Sequence, residues 1–317
     1  MMKIIIASMA AFGGMRINTN YSLFIATKYY KGSWLALLIF VVIGCSSQPR
    51  SLSSLQSNIR QQFTAAEGTF AMAFVNLADT SQKILINERE MFHAASTMKT
   101  PVMIEIFKQA KNGKFNLNDS LLIKNTFYSI VDSTMYRLNI EDDSYPKLYK
   151  QIGTRKSILD LMKAMITHSS NLATNILIEW VGADNITATM CSYGANDILV
   201  LRGVEDLKAF KRGLSNKTNA HDEMVIYSKI GRGKAVDKQA STGMIEILSQ
   251  QQFNAMIPSG LPDSIKVAHK TGWITGVNHD CALIILPDKT KYVLILLSKE
   301  APNRQKVHKM FSQISNL

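Results

Sequence analysis

The 317 residues are 46% apolar and 19% charged, and Lys plus Arg exceed Asp plus Glu by a net charge of +12. That mixture fits a globular body of one or two domains, with mean hydropathy near zero. The basic excess suits anionic partners, but no arginine-rich run or basic stripe with interleaved aromatics accompanies it, which argues against nucleic acid.

Residues 1 to 45 carry Lys3, Arg16, Lys28 and Lys31 and no acidic residue. The two lysines nearest the end precede "WLALLIFVVIG", an 11-residue apolar run from Trp34 to Gly44. It is short for a bilayer span and suited to the core of an export signal. The run meets Cys45 in "VIGCSS", which resembles a bacterial lipoprotein signal, in which cleavage before the cysteine is followed by its lipidation. A plain export signal and a single anchor helix are the alternatives. Loss of the segment would take four positive charges away and lower +12 to +8. A second apolar run, "IIIASMAAF", lies upstream and is superfluous for export, so translation is expected to start downstream, at Met15. The expected product is exported, anchored to a membrane through Cys45 and monomeric, with residues 46–317 as its single catalytic domain.

After a polar stretch, Leu55, Ile59 and Phe63 recur every four residues and predict an amphipathic helix ended by Gly68. "TFAMAFVNL" (69–77) and "QKILINE" (82–88) read as strands joined by the turn-prone "ADTS". From about 96 to 250 the periodicity is mostly helical. "SIKVAHKTGW", "DCALIILPD" and "KYVLILLSKE" then read as three consecutive strands, and "NRQKVHKMFSQISNL" as a closing helix. Strands from both chain ends flanking a helical stretch predict an α+β fold, one antiparallel sheet built from the two termini with an inserted helical region.

Within this layout "HAASTMKT" (93–100) places Ser96 three residues before Lys99 at a helix start, so both project from one side. A serine hydroxyl is a weak nucleophile until a base takes its proton. A lysine can be that base if burial or nearby cations lower its pKa. Alone, the pattern is more often a helix-capping serine beside an exposed lysine. Two further motifs follow in order: Ser169, Ser170 and Asn171 between two helical runs, then Lys270, Thr271 and Gly272 on a strand.

The ordered trio resembles the class A beta-lactamases and penicillin-binding proteins, from about Ser51 to Leu317. The resemblance implies a beta-lactamase/transpeptidase-like fold, no cofactor or metal, and a small β-lactam as substrate. It implies that Ser96 attacks the lactam carbonyl and that Lys99 helps activate it. Ser169 would pass a proton to the leaving nitrogen, assisted by Lys270, and Asn171 would bind the acylamino side chain. Thr271 would bind the substrate carboxylate, Gly272 would let substrate lie against the strand, and the N–H groups of Ser96 and Trp273 would form the oxyanion hole. For deacylation the family uses a Glu within Glu-Pro-x-Leu-Asn. Here "LRGVEDLKAF" supplies Glu205, with Asp206 in place of the proline and Ala209 in place of the water-holding Asn. Asp206 is an alternative base, and Ser170 stands where the family has Asp.

Other chemistries find little support. His93, His168, His221, His269, His279 and His308 show no metal-binding spacing, and there is no Gly-x-Ser-x-Gly elbow or phosphate-binding glycine loop. Two alternatives remain: a DD-peptidase or other serine acyl hydrolase, and a penicillin-binding protein that is acylated without turnover. Cys191 and Cys281 are either a disulfide or two isolated thiols.

Overall fold

A computed structural model describes residues 51–317; Met15, the export segment and Cys45 lie outside the described residues. Helix α1 (Leu52–Ala65) is capped by Ser51, whose side chain accepts from Ser54 N, and it leads into strands β1 (Thr69–Asn76) and β2 (Lys83–Ile86). Strand β3 (Phe92–His93) and the 3-10 turn Ala95–Met98 then run into α2 (Lys99–Lys111). Strands β4 (Ser120–Leu122), β5 (Phe127–Tyr128), β6 (Met135–Tyr136) and β7 (Arg155–Ser157) shape the loops before α3 (Ile158–Thr167), α4 (Asn171–Val181) and α5 (Ala183–Ser192). Helix α6 (Leu207–Lys211), strand β8 (Lys217–Thr218), α7 (Ala220–Gly231) and α8 (Lys238–Leu248) complete the insert. Strands β9 (Lys266–Ile274), β10 (Val277–Ile285) and β11 (Lys291–Lys299) and helix α9 (Arg304–Ser315) close the chain.

The five long strands form one sheet in the order β2-β1-β11-β10-β9, every pair antiparallel. The expected sheet from both termini is present. The insert is less uniformly helical than its periodicity suggests, because three short ladders, β3-β8, β4-β7 and β5-β6, tie its loops together. These pairs of two or three residues are too short to show an alternating pattern.

Strand alternation decides what each sheet face covers. Ala71, Ala73 and Val75 of β1, with Cys281, Leu283, Ile295 and Leu297, face the helical insert. Phe70 and Met72 face the other way, with Ile84, Leu294 and Leu296, and meet Ile59 and Phe63 of α1 and Phe311 of α9. Phe70 stacks on Phe63 at 5.3 Å between centroids and meets Phe311 edge-on at 6.5 Å. Because both faces are covered, β10 is buried from Val277 to Ile284, and its second half, Cys281–Ile285, reads as a continuous apolar run. Cys281 is buried in that strand and Cys191 is exposed at the end of α5; both are free thiols.

Candidate active site

Ser96 is half-buried at the junction of the sheet and the insert, in the 3-10 turn that feeds α2. The residue before it, Ala95, has φ +46°, a left-handed conformation that costs a side-chain-bearing residue about 1–3 kcal/mol unless its surroundings fix it. They do so by hydrogen bonds: Ala95 N donates to His93 Nδ1 at 3.0 Å, and Thr97 N and Oγ1 donate to Ala94 O at 3.0 and 2.8 Å. His93 Nδ1 accepts only while unprotonated, and burial, with the Arg202 charge, lowers its pKa to favour that form.

Strand β9 approaches this turn from the sheet edge. A side chain at Gly272 would put its Cβ 3.2 Å from Ser96 N and 3.2 Å from Thr97 N and Cγ2. The glycine therefore serves the approach of two backbone segments, whereas the sequence reading assigned it to the substrate. Lys270 lies two residues earlier on the same side of β9. Thr271 and Trp273 alternate to the opposite side, where the Arg304 guanidinium lies 4.6 Å from the Trp273 ring centroid. The Trp273 side chain is thus engaged elsewhere, and what it can offer Ser96 is its backbone.

The Ser169–Asn171 motif is the joint between two helices. Helix α3 ends at Thr167, and Ser169 takes φ +57°. Ser170 then caps α4 by accepting from Ala173 N at 3.2 Å. The left-handed turn aims both oxygens of Ser169 at one lysine: Lys99 Nζ donates to Ser169 O at 2.7 Å and to Ser169 Oγ at 3.0 Å, and to Asn171 Oδ1 at 3.1 Å. Lys270 Nζ donates to the same Ser169 Oγ at 3.1 Å and to Thr271 O at 2.8 Å. The three N–H bonds of Lys99 are committed in this way, and among the described residues none reaches Ser96. The three-residue spacing brings the two side chains to one site; tertiary contacts orient the amine.

Both lysines are fully buried. Burial lowers the Lys99 pKa to about 7, against the opposing pull of the Asp143 and Glu205 charges. Burial and the neighbouring Lys99 charge push Lys270 well below the ordinary lysine value. A neutral amine is therefore accessible near pH 7 beside Ser169 Oγ, whose two lone pairs face the lysines and whose own proton is left to give.

Glu205 joins the same network. Its Oε1 accepts from Asn171 Nδ2 at 3.1 Å and its Oε2 from Asn139 N at 3.1 Å, with the backbone held at φ +62°. Burial raises its pKa, the sense that favours a general base working near neutrality. Both Nδ2 hydrogens of Asn171 are used: Oδ1 takes Lys99, while Nδ2 gives to Glu205 and, at 3.3 Å, to Asp142 O. Asp206 is a structural residue and not a second base. It is 2% exposed and accepts from Ser129 Oγ, Ile130 N and Ala209 N at 2.9, 3.0 and 3.0 Å. Ala209 is buried in α6 and has no side chain with which to hold a water.

The loop from Asn139 to Tyr145 carries none of the motifs, yet it touches Glu205, Asn171 and the start of α4. Its sequence signal was the missing carboxylate at Ser170, which a nearby acid could replace. "IEDDSYP" offers three, Glu141, Asp142 and Asp143.

Comparison with known proteins agrees with this geometry. The chain is 27% identical over 247 residues to a beta-lactamase of Citrobacter koseri, covering 75% of this chain and 79% of that one. It is 24% identical over 291 residues to beta-lactamase OXY-2 of Klebsiella oxytoca, covering 89% and 96%. Among solved structures, a PBP-A variant in an acyl-enzyme complex with penicillin G superposes with a TM-score of 0.71 at 24% identity, covering 84% of this chain and 95% of that one. A beta-lactamase from Chitinophaga pinensis gives 0.71 at 18% identity, covering 82% and 96%. The model of the beta-lactamase enzyme family matches residues 54–317, and with its sheet, its insert and its serine–lysine site the chain belongs to that family.

Proposed function

We propose that this protein is a serine β-lactamase that opens the β-lactam amide through an acyl-Ser96 intermediate. The observation that carries the reading is Ser169 Oγ, held between Lys99 Nζ and Lys270 Nζ at 3.0 and 3.1 Å beside the strained turn that presents Ser96.

Ser96 Oγ attacks the lactam carbonyl as its proton leaves toward Lys99, directly or through a water held near Glu205. The oxyanion forms against the N–H groups of Ser96 and Trp273, where the start of α2 adds its partial positive charge. The C–N bond breaks, and the departing nitrogen takes the proton of Ser169, which Lys99 and Lys270 replenish. Lys270 attracts the substrate carboxylate, and the Thr271 hydroxyl, reaching round the open edge of β9 from the other side of the strand, binds it. Asn171, by giving up one of its Nδ2 contacts, binds the acylamino group. Glu205 then takes a proton from water, which attacks the ester; the acyl C–O bond breaks and the departing Ser96 oxygen takes that proton back, freeing the serine. The family match, and the acyl-enzyme chemistry of the PBP-A variant with penicillin G, support β-lactams as the substrate class.

Ala209 in place of an amide side chain favours a second reading, in which deacylation is slow and the protein holds its acyl group. Purified protein lacking residues 1–45 and its Ser96→Ala variant, given a chromogenic cephalosporin, separate the two. Steady turnover lost in Ser96→Ala supports the lactamase. A stoichiometric mass adduct on wild type without turnover supports the acylated binder, and a wild type no faster than Ser96→Ala, with no adduct, sinks both.

Export and a lipid anchor at Cys45 are part of the same proposal, resting on the basic flank, the short apolar run and "IGCSS". So are a single catalytic domain over residues 46–317 and a monomeric state. A lipid-sized mass increase at the mature N-terminus, lost in Cys45→Ala with release from the membrane fraction, tests the anchor.

A further inference from the structure

Asp143 is 6% exposed, and a carboxylate that far from water is tolerated only with partners for its oxygens. It has three. Oδ2 accepts from Leu172 N at 2.8 Å and from Ser170 Oγ at 3.3 Å, and Oδ1 accepts from Tyr145 N within its own loop at 2.8 Å. Leu172 N is one of the unpaired donors at the start of α4, and Ser170 Oγ supplies the other cap through Ala173 N. The negative charge at this helix start comes from outside the motif. The flanking residues, Ser169 and Asn171, are the two that hold Lys99. The neighbouring Asp142 supplies the carbonyl that accepts from Asn171 Nδ2.

We propose that Asp143 is a positioning residue, a carboxylate moved from the Ser169–Asn171 motif onto the facing loop, where it locks the start of α4 and so fixes Ser169 and Asn171 against Lys99. The assignment deepens the acyl-Ser96 reading and rests on it for its effect on rate. Position 170 shows why the loop must supply the charge. An uncharged Ser170 can cap one N–H, and without Asp143 it would leave Leu172 N buried and unpaired, one residue from Asn171. Asp143 also acts through space. Lys99 is faced by two negative groups, Asp143 and Glu205, and by the positive Lys270, and the two carboxylates favour its charged form against burial.

The test compares wild type, Asp143→Ala, Asp143→Asn and the exchange of the two positions, Asp143→Ser with Ser170→Asp. Each is measured for kcat and KM on a chromogenic cephalosporin, for thermal midpoint, and for the Lys99 titration by NMR of 13C-labelled lysine without substrate. Asp143→Ala is expected to lower kcat/KM about 100-fold, the scale of a misplacement near 1 Å, mainly through kcat. Asp143→Asn keeps an acceptor for Leu172 N, loses less activity and moves the Lys99 titration to lower pH. The exchange, which returns the charge to α4 from its own chain position, restores kcat/KM to within about tenfold of wild type. A lower thermal midpoint with kcat of the folded protein unchanged would make Asp143 merely structural and overturn the proposal. So would an exchange variant that melts like wild type yet is no better than Asp143→Ala. The Lys99 titration separates the two claims: its shift in Asp143→Asn in a protein that forms no acyl adduct sinks the acyl-Ser96 reading and supports Asp143 as the residue that governs Lys99.

Discussion

Lys99 Nζ lies 3.0 Å from Ser169 Oγ, a hydrogen bond between residues 70 apart in the chain. The amine is thus poised to restore the proton that Ser169 gives away. It must first take that proton from Ser96, which it can do only when neutral, so kcat/KM is expected to rise with pH through about 7, the value to which burial brings Lys99, and to level off above it. Lys99→Met removes the limb and lowers kcat/KM by roughly 10²–10⁴-fold. Stopped-flow acylation rates from pH 5 to 9 check both.

The same burial has a sign for stability. Lys99 titrates at about 7 when folded and near ~10.4 when unfolded. Between those values the unfolded chain binds the extra proton, so this group adds stability as pH rises from about 7 and its penalty is fully present below that. Lys99→Met removes a buried amine and is expected to melt higher at pH 6.5, by an amount on the order of 1 kcal/mol, with the difference shrinking by pH 9. Melts at the two pH values decide it, and a variant that melts lower at both refutes it.

Glu205→Gln keeps a hydrogen-bonding oxygen toward Asn139 N and removes the base. Acylation is expected to survive while deacylation slows by roughly 10²–10⁴-fold, so that an acyl adduct accumulates on Ser96. Intact-mass spectra taken seconds after mixing with substrate would show it. Absence of the adduct together with unchanged turnover would move the base elsewhere.

Gly272→Ala puts a methyl group 3.2 Å from Ser96 N and Thr97 N. Backbone on both sides must give by a few tenths of an ångström. A loss of kcat/KM of about tenfold is expected from the displaced nucleophile, with little change in thermal midpoint. Wild-type kinetics would show that β9 yields without moving Ser96.

Phe311→Ala empties the layer between α9 and the sheet, where Phe311 is fully buried against Phe70. It is expected to cost about 3–5 kcal/mol, read by urea denaturation, while kcat of the folded fraction is retained because the site is on the other face of the sheet. A parallel loss of kcat would mean that the two faces are coupled.

The sequence by itself determined the strands of β1, β2 and β9 to β11, because apolar and β-branched residues cluster there between turn-prone stretches. It determined Ser96, Lys99, Ser169 and Lys270 as a set, because three short motifs in order carry information that none carries alone. It did not determine what each side chain does. The Ser96–Lys99 spacing suggested a direct pair, but the amine turned to Ser169 and Asn171, since the left-handed turn at Ser169 presents both of its oxygens. Gly272 gave no sign of which backbone it admits, and Asp206 read as a base until its three hydrogen bonds placed it as the cap of α6. Apart from the turn that its Oδ1 makes with Tyr145 N, Asp143 left no local pattern, because the partners of its Oδ2 are 27 and 29 residues away on another element. Periodicity and spacing record what neighbours in the chain must do together. The direction of a buried amine or carboxylate is set by whichever distant groups satisfy its hydrogen bonds, and only the folded chain brings those within reach.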